Sequence, residues 1–139
     1  MDIMTSFLNM KTWAVVGATD NTDKFGYKIY KTLKDAGYTV YPVNPGVADI
    51  LGVKCYASVS ELPEKPEAVD VVVPPKVGEQ IMRECAAVGI KNVWLQPGAN
   101  AQSVAELGKQ LGLAVIDTGC VMKEIRIRGI SHKWNKGVV

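Results

Sequence analysis

Thr12-Trp13-Ala14-Val15-Val16-Gly17-Ala18-Thr19, followed by Phe25-Gly26 and a helical pattern, decides how this chain is read. An apolar strand breaks at Gly17, crosses a polar loop and enters a helix. That is the phosphate-binding opening of a nucleotide fold: the glycine allows a sharp turn, and the helix N-terminus offers unpaired N–H groups and positive dipole to an anion. The spacing is not G-x-G-x-x-G, because Gly17 and Gly26 lie nine residues apart. The expected ligand carries phosphates without having to be a nicotinamide dinucleotide.

The same alternation continues outward. Residues 1–11 read as a short helical lead-in with an apolar stripe of Ile3, Met4, Phe7 and Leu8. Phe25, Ile29, Leu33 and Ala36 recur at helical spacing up to Gly37, which predicts an amphipathic helix with Phe25 as its first core rung. Thr39–Val43 reads as a second strand, with Pro42 where no ladder bond is needed. Residues 47–66 look irregular, apart from an apolar segment at Val53–Tyr56 and a helical turn at Val59–Leu62. Val69–Val73, Asn92–Gln96 and Leu113–Ile116 are further strands. Helices are expected through Val77–Val88, Val104–Leu111 and Val121–Ile127. Strands alternating with helices imply βαβ units, hence a single-domain α/β protein with a Rossmann-like, doubly wound parallel sheet and helices on both faces.

Composition sets bounds. A chain of 139 residues, 47% hydrophobic and 22% charged, fits one domain over 1–139 that buries about two-thirds of its unfolded surface. A net charge of +2 with mixed signs makes no case for nucleic acid. Neither a signal peptide nor an apolar run of membrane length is legible, so the expectation is a cytoplasmic protein without membrane contact. Cys55, Cys85 and Cys120 form no C-x-x-C pair, which argues against a disulfide framework or a metal site. His132 is the only histidine, so most histidine-dependent chemistry is nearly excluded.

In a parallel sheet the ligand lies beyond the carboxyl ends of the strands. Gly17-Ala18-Thr19, Asn44-Pro45-Gly46, Pro74-Pro75-Lys76, Gln96-Pro97-Gly98 and Asp117-Thr118-Gly119-Cys120 follow the five strands. Each could be punctuation alone; five on one edge make a shallow groove lined by backbone. A conventional NAD site places an acid at the end of the second strand, where this chain has Val43-Asn44-Pro45. NAD is therefore disfavoured.

These loops carry a resemblance. VVGAT at 15–19, KFG at 24–26, GYTVYPVNP at 37–45, GVKCYASVSELPE at 52–64, VDVVVPP at 69–75, VWLQPG at 93–98 and GLAVIDTGCVMKE at 112–124 resemble the small coenzyme A-binding proteins. They are also similar to the N-terminal domain of the succinyl-CoA synthetase alpha subunit. The likeness covers about residues 10–125 and leaves a basic tail, 126–139. It implies coenzyme A or an acyl-CoA as ligand. Gly17, Ala18 and Thr19 would contact the diphosphate, with Lys24, Phe25 and Gly26 nearby. Val43, Asn44 and Pro45 would line the adenosine side. Val73, Pro74 and Pro75 would form a wall for adenine or the pantetheine arm. Gln96, Pro97 and Gly98 would sit near the pantetheine end. The chain departs from many relatives at Gly119, where they carry a basic residue, and in having Pro97-Gly98 after the glutamine.

Lys24 and Lys76 can each pair a phosphate as a point charge, or stand as solvated lysines. Cys120, just before a helix on the ligand edge, is either a small buried hydrophobe or a thiol able to form a mixed disulfide with the coenzyme. Cys85 reads as core, and His132 as an exposed tail residue. No catalytic constellation is visible, which favours a binding module over an enzyme. An NAD(P)-using oxidoreductase, or a ligase-like subunit requiring a partner chain, is the alternative. The sequence leaves a protein partner or a homo-oligomer open.

Overall fold

The computed structural model describes residues 2–134, and the following holds for those residues. The elements are α1 (Ile3–Leu8), β1 (Thr12–Val16), α2 (Phe25–Asp35), β2 (Thr39–Val43), β3 (Asp49–Ile50), β4 (Val53–Lys54), β5 (Ala68–Val71), α3 (Pro75–Ala87), β6 (Asn92–Leu95), α4 (Gln102–Gln110), β7 (Ala114–Ile116) and α5 (Val121–Arg128). The main sheet is parallel throughout, in the order β2-β1-β5-β6-β7. After β1 the chain goes to one side for β2 and to the other for β5. Strand order therefore reverses between β1 and β5, and that is where a crevice opens in a doubly wound sheet.

Period-two alternation gives each face its own core. Trp13 and Val15 of β1, with Trp94 and Ile116, pack under α1, α2 and α5. Ala14, Val16, Val69, Val71 and Val93 pack under α3 and α4. On the first face, Phe7 meets both Trp13 and Trp94 edge-on, with ring centroids 6.4 and 6.2 Å apart. The two indole N–H groups donate to the carbonyls of Met10 and Gly119, so neither ring buries an unpaired donor.

Pro42 lies in β2, at the sheet edge. Its carbonyl accepts the Tyr56 N–H at 2.9 Å, so a residue with no N–H costs the ladder nothing there.

Three expectations need correction. Residues 49–54, read as irregular, form the small antiparallel hairpin β3–β4. Its turn, Leu51-Gly52, has positive φ at both residues (50° and 77°). Leucine there hides the usual Asn-Gly or Asp-Gly signal. Phe25 is not a core rung: it is 64% exposed, and the buried face of α2 is Gly26, Ile29, Tyr30 and Leu33. Finally, His132 is half-buried rather than a loose tail residue. Its N–H donates to Ala36 at 2.7 Å, its Nε2 lies 3.1 Å from the Leu8 carbonyl, and its ring stacks on Trp134 at 3.9 Å. Cys85 is core, as expected.

Candidate functional site

The site starts from the backbone of Gly17. Its φ of +97° belongs to the region that glycine alone enters without strain, and its N–H donates to the Val43 carbonyl at 2.9 Å. A Cβ at Gly17 would stand 3.1 Å from Val72 C and from a methyl of Val73. Gly26, in the first turn of α2, lies directly against Gly17, so that a Cβ there would overlap the Gly17 carbonyl oxygen. The pair lets the helix start close over the strand end.

Between them, residues 19–24 fold on themselves. Thr19 Oγ1 accepts the Asn21 N–H at 3.2 Å, and Asn21 Oδ1 accepts the Asp23 N–H at 3.1 Å. Lys24 occupies the N-cap position of α2, and no side chain caps that helix. Its first N–H groups and dipole are left for another acceptor.

Three cavities follow one another along the carboxyl edge of the sheet. The first, of about 430 Å³, is walled by Gly17, Thr19, Lys24 and Gly26 on one side and by Val73, Pro74, Pro97 and Gly98 on the other. The second, of about 240 Å³, shares Gly17 and Val73 with it and runs between Val43-Asn44-Pro45 and α3. The third, of about 150 Å³, shares Phe25, Val72 and Pro97 with the first and ends at Gln96 and Cys120. Exposed Phe25 thus stands at the seam between the first and third cavities.

Most of the residues expected from the sequence meet on this edge, but some have other tasks. Ala18 is buried and lines none of the three cavities; its carbonyl accepts a hydrogen bond from Asn44 Nδ2 at 2.9 Å. Asn44 Oδ1 accepts the Gly46 N–H at 2.9 Å, so this amide ties two strand-end loops together while facing the second cavity. Pro75 is the first residue of α3 and, like Lys76, lines none of the cavities. Gln96 is only 2% exposed. Its Nε2 donates to Asp70 Oδ1 and its Oε1 accepts the Val121 N–H at 3.2 Å, which joins β5, β6 and the start of α5. Asp70 is fully buried, its Oδ2 lacks a hydrogen-bond partner, and burial pushes its carboxyl well above the usual carboxylate range. Cys120 is half-buried at the N-cap of α5, whereas Cys55 and Cys85 are buried.

Sequence reasoning missed the α3 wall of the second cavity: Val77, Gln80, Ile81 and Glu84. The i, i+3, i+4, i+7 spacing was visible, but it marked only the helix expected through Val77–Val88. Ser58, from the loop before the 3₁₀ turn Val59–Glu61, completes that wall. Among the described residues there is no His/Cys/Asp/Glu group suited to a metal ion, and no helix long and apolar enough to cross a membrane.

A doubly wound parallel sheet with a glycine turn, an uncapped helix start and a groove across its switch point defines a Rossmann-like nucleotide-binding domain. The sequence profile of the CoA binding domain family matches residues 11–126, and the chain belongs to that family. It is 32% identical over 126 residues to the alpha subunit of an ADP-forming acetate–CoA ligase II from Pyrococcus furiosus, covering 83% of this chain and 28% of that subunit. The chain thus spans little more than a quarter of that ligase subunit. It is also 32% identical to the uncharacterized protein YneT of Bacillus subtilis, with 80% of this chain and 82% of that protein covered. A conserved hypothetical protein from Pyrococcus furiosus shares the fold at a TM-score of 0.78 and 40% identity, covering 82% of this chain and 98% of that one.

Proposed function

We propose that the chain binds coenzyme A or an acyl-CoA along the carboxyl edge of its sheet, with no chemistry of its own. The diphosphate lies in the first cavity, over the Gly17 turn and the uncapped start of α2, with Lys24 as its counter-charge. Adenosine occupies the second cavity, and the pantetheine arm passes Phe25 and Pro97 to end beside Cys120. The observation that carries this reading is the continuity of three cavities joined at Gly17–Val73 and at Phe25–Pro97, a shape suited to a long ligand with phosphates near its middle.

Glu84 favours a second reading enough to be tested beside the first. It brings a carboxylate to the adenosine cavity from α3, which could hold the ribose diol of NAD in place of the missing acid after β2. A ligase-like role with a partner chain follows only from the names of the longer relatives, and would show as stable co-purification with an ATP-binding chain.

Thermal unfolding with coenzyme A, acetyl-CoA, NAD, NADP and ATP separates these readings. A ligand at about 100 times its dissociation constant adds about 2.7 kcal/mol, a rise of roughly 10 °C for a chain of this size. A shift with coenzyme A or acetyl-CoA supports the proposal. A shift with NAD or NADP alone refutes it.

A further inference from the structure

The charges along the groove do not match those of the full coenzyme. Among the described residues lining the three cavities, Lys24 is the only cation and Glu84 the only carboxylate. Lys24 borders the first cavity, where a diphosphate also meets the α2 N-terminus. The second cavity presents only neutral polar groups, from Asn44, Ser58 and Gln80, together with Glu84. Glu84 Oε1 accepts from Gln80 Nε2 at 3.2 Å, and its Oε2 is buried without a hydrogen-bond partner, so among the described residues no cation pairs with the carboxylate.

The helix beside this cavity gives little help to an anion. Helix α3 starts Pro74-Pro75, and neither proline has an N–H to offer. Lys76, the cation next in sequence, does not line the cavity. A phosphate monoester on the ribose would enter a compartment with one negative group and no positive one, where like charges repel.

Resting on the coenzyme A reading, we infer that the second cavity is built for a nucleoside without a ribose phosphate. The chain therefore holds 3′-dephospho-coenzyme A at least as tightly as coenzyme A. Glu84 is the residue that sets this preference.

Calorimetric titration of the full chain with coenzyme A and with 3′-dephospho-coenzyme A tests the inference. Dissociation constants within about three-fold of each other, or a tighter one for the dephospho form, are expected. Glu84→Gln should shift the ratio about five-fold towards coenzyme A by removing the repulsion. Gln80→Lys, on an exposed position of α3, should shift the ratio about ten-fold towards coenzyme A by supplying the cavity with a cation. Coenzyme A binding more than about three-fold more tightly than its dephospho form overturns the inference and leaves the coenzyme A reading intact. Failure of both forms to bind overturns that reading as well.

Discussion

Gly26 packs so closely on Gly17 that no side-chain atom fits between the helix start and the strand-end carbonyl. This contact converts the loop of residues 17–24 into a cradle, because it fixes where the first N–H groups of α2 point. Gly26→Ala should cost about 1–3 kcal/mol or more through overpacking. A urea midpoint near the wild-type value would contradict the packing. If the variant folds, coenzyme A affinity should fall with stability, since the carbonyl and the helix start must separate.

Lys24 tests the charge side of the cradle without touching the core. Among the described residues its side chain makes no hydrogen bond or ion pair, and it lies at the N-cap of α2. Lys24→Met should therefore leave the melting temperature of the free protein nearly unchanged and weaken coenzyme A about ten-fold. The weakening should shrink as salt is added. Equal affinities at low salt would remove Lys24 from the site.

The three thiols should separate by reactivity. Burial pushes the Cys85 thiol up to about 12 and raises that of Cys55, while Cys120 is half-buried on the third cavity. Alkylation at neutral pH should mark Cys120 first, read by intact mass and peptide mapping. Saturating coenzyme A should slow it. Labelling unaffected by coenzyme A would place the ligand elsewhere.

Asp70 predicts a pH dependence of stability. Burial, the leading cause, raises its carboxyl pKa in the fold, and the Gln96 hydrogen bond opposes this. Between the ordinary carboxylate value and the raised one, the native state holds a proton that the unfolded chain has released. Stability should therefore fall as pH rises through that window and level off above it. Asp70→Asn should abolish that component, as read from urea midpoints between about pH 4 and pH 8. An identical slope in both proteins would show that Asp70 does not carry it.

The alternation of strands and helices was legible because β1, β5 and β6 are buried, largely apolar runs, as a doubly covered parallel sheet requires. The strand-end loops were legible for a related reason, since Gly17 and Pro74-Pro75 break the pattern sharply. What escaped was set by tertiary packing. Phe25 has the helical spacing of a core residue, yet the close approach of Gly26 turns the buried face one position on and leaves Phe25 over the groove. Gln96 lines the third cavity, but the bonds of its amide to Asp70 and Val121 join distant parts of the chain and had no sequence signal. His132 packs against Tyr38 and the Leu8 carbonyl, contacts between distant parts of the chain that local pattern does not reveal.

The most direct test is to map backbone amide chemical shifts of the 15.1 kDa protein while titrating coenzyme A. The account predicts the largest changes at Gly17, residues 19–26, Val72–Val73 and Gly98, with little change around Tyr38 and His132. No change on adding coenzyme A, or changes gathered at the Tyr38–His132 end, would contradict it.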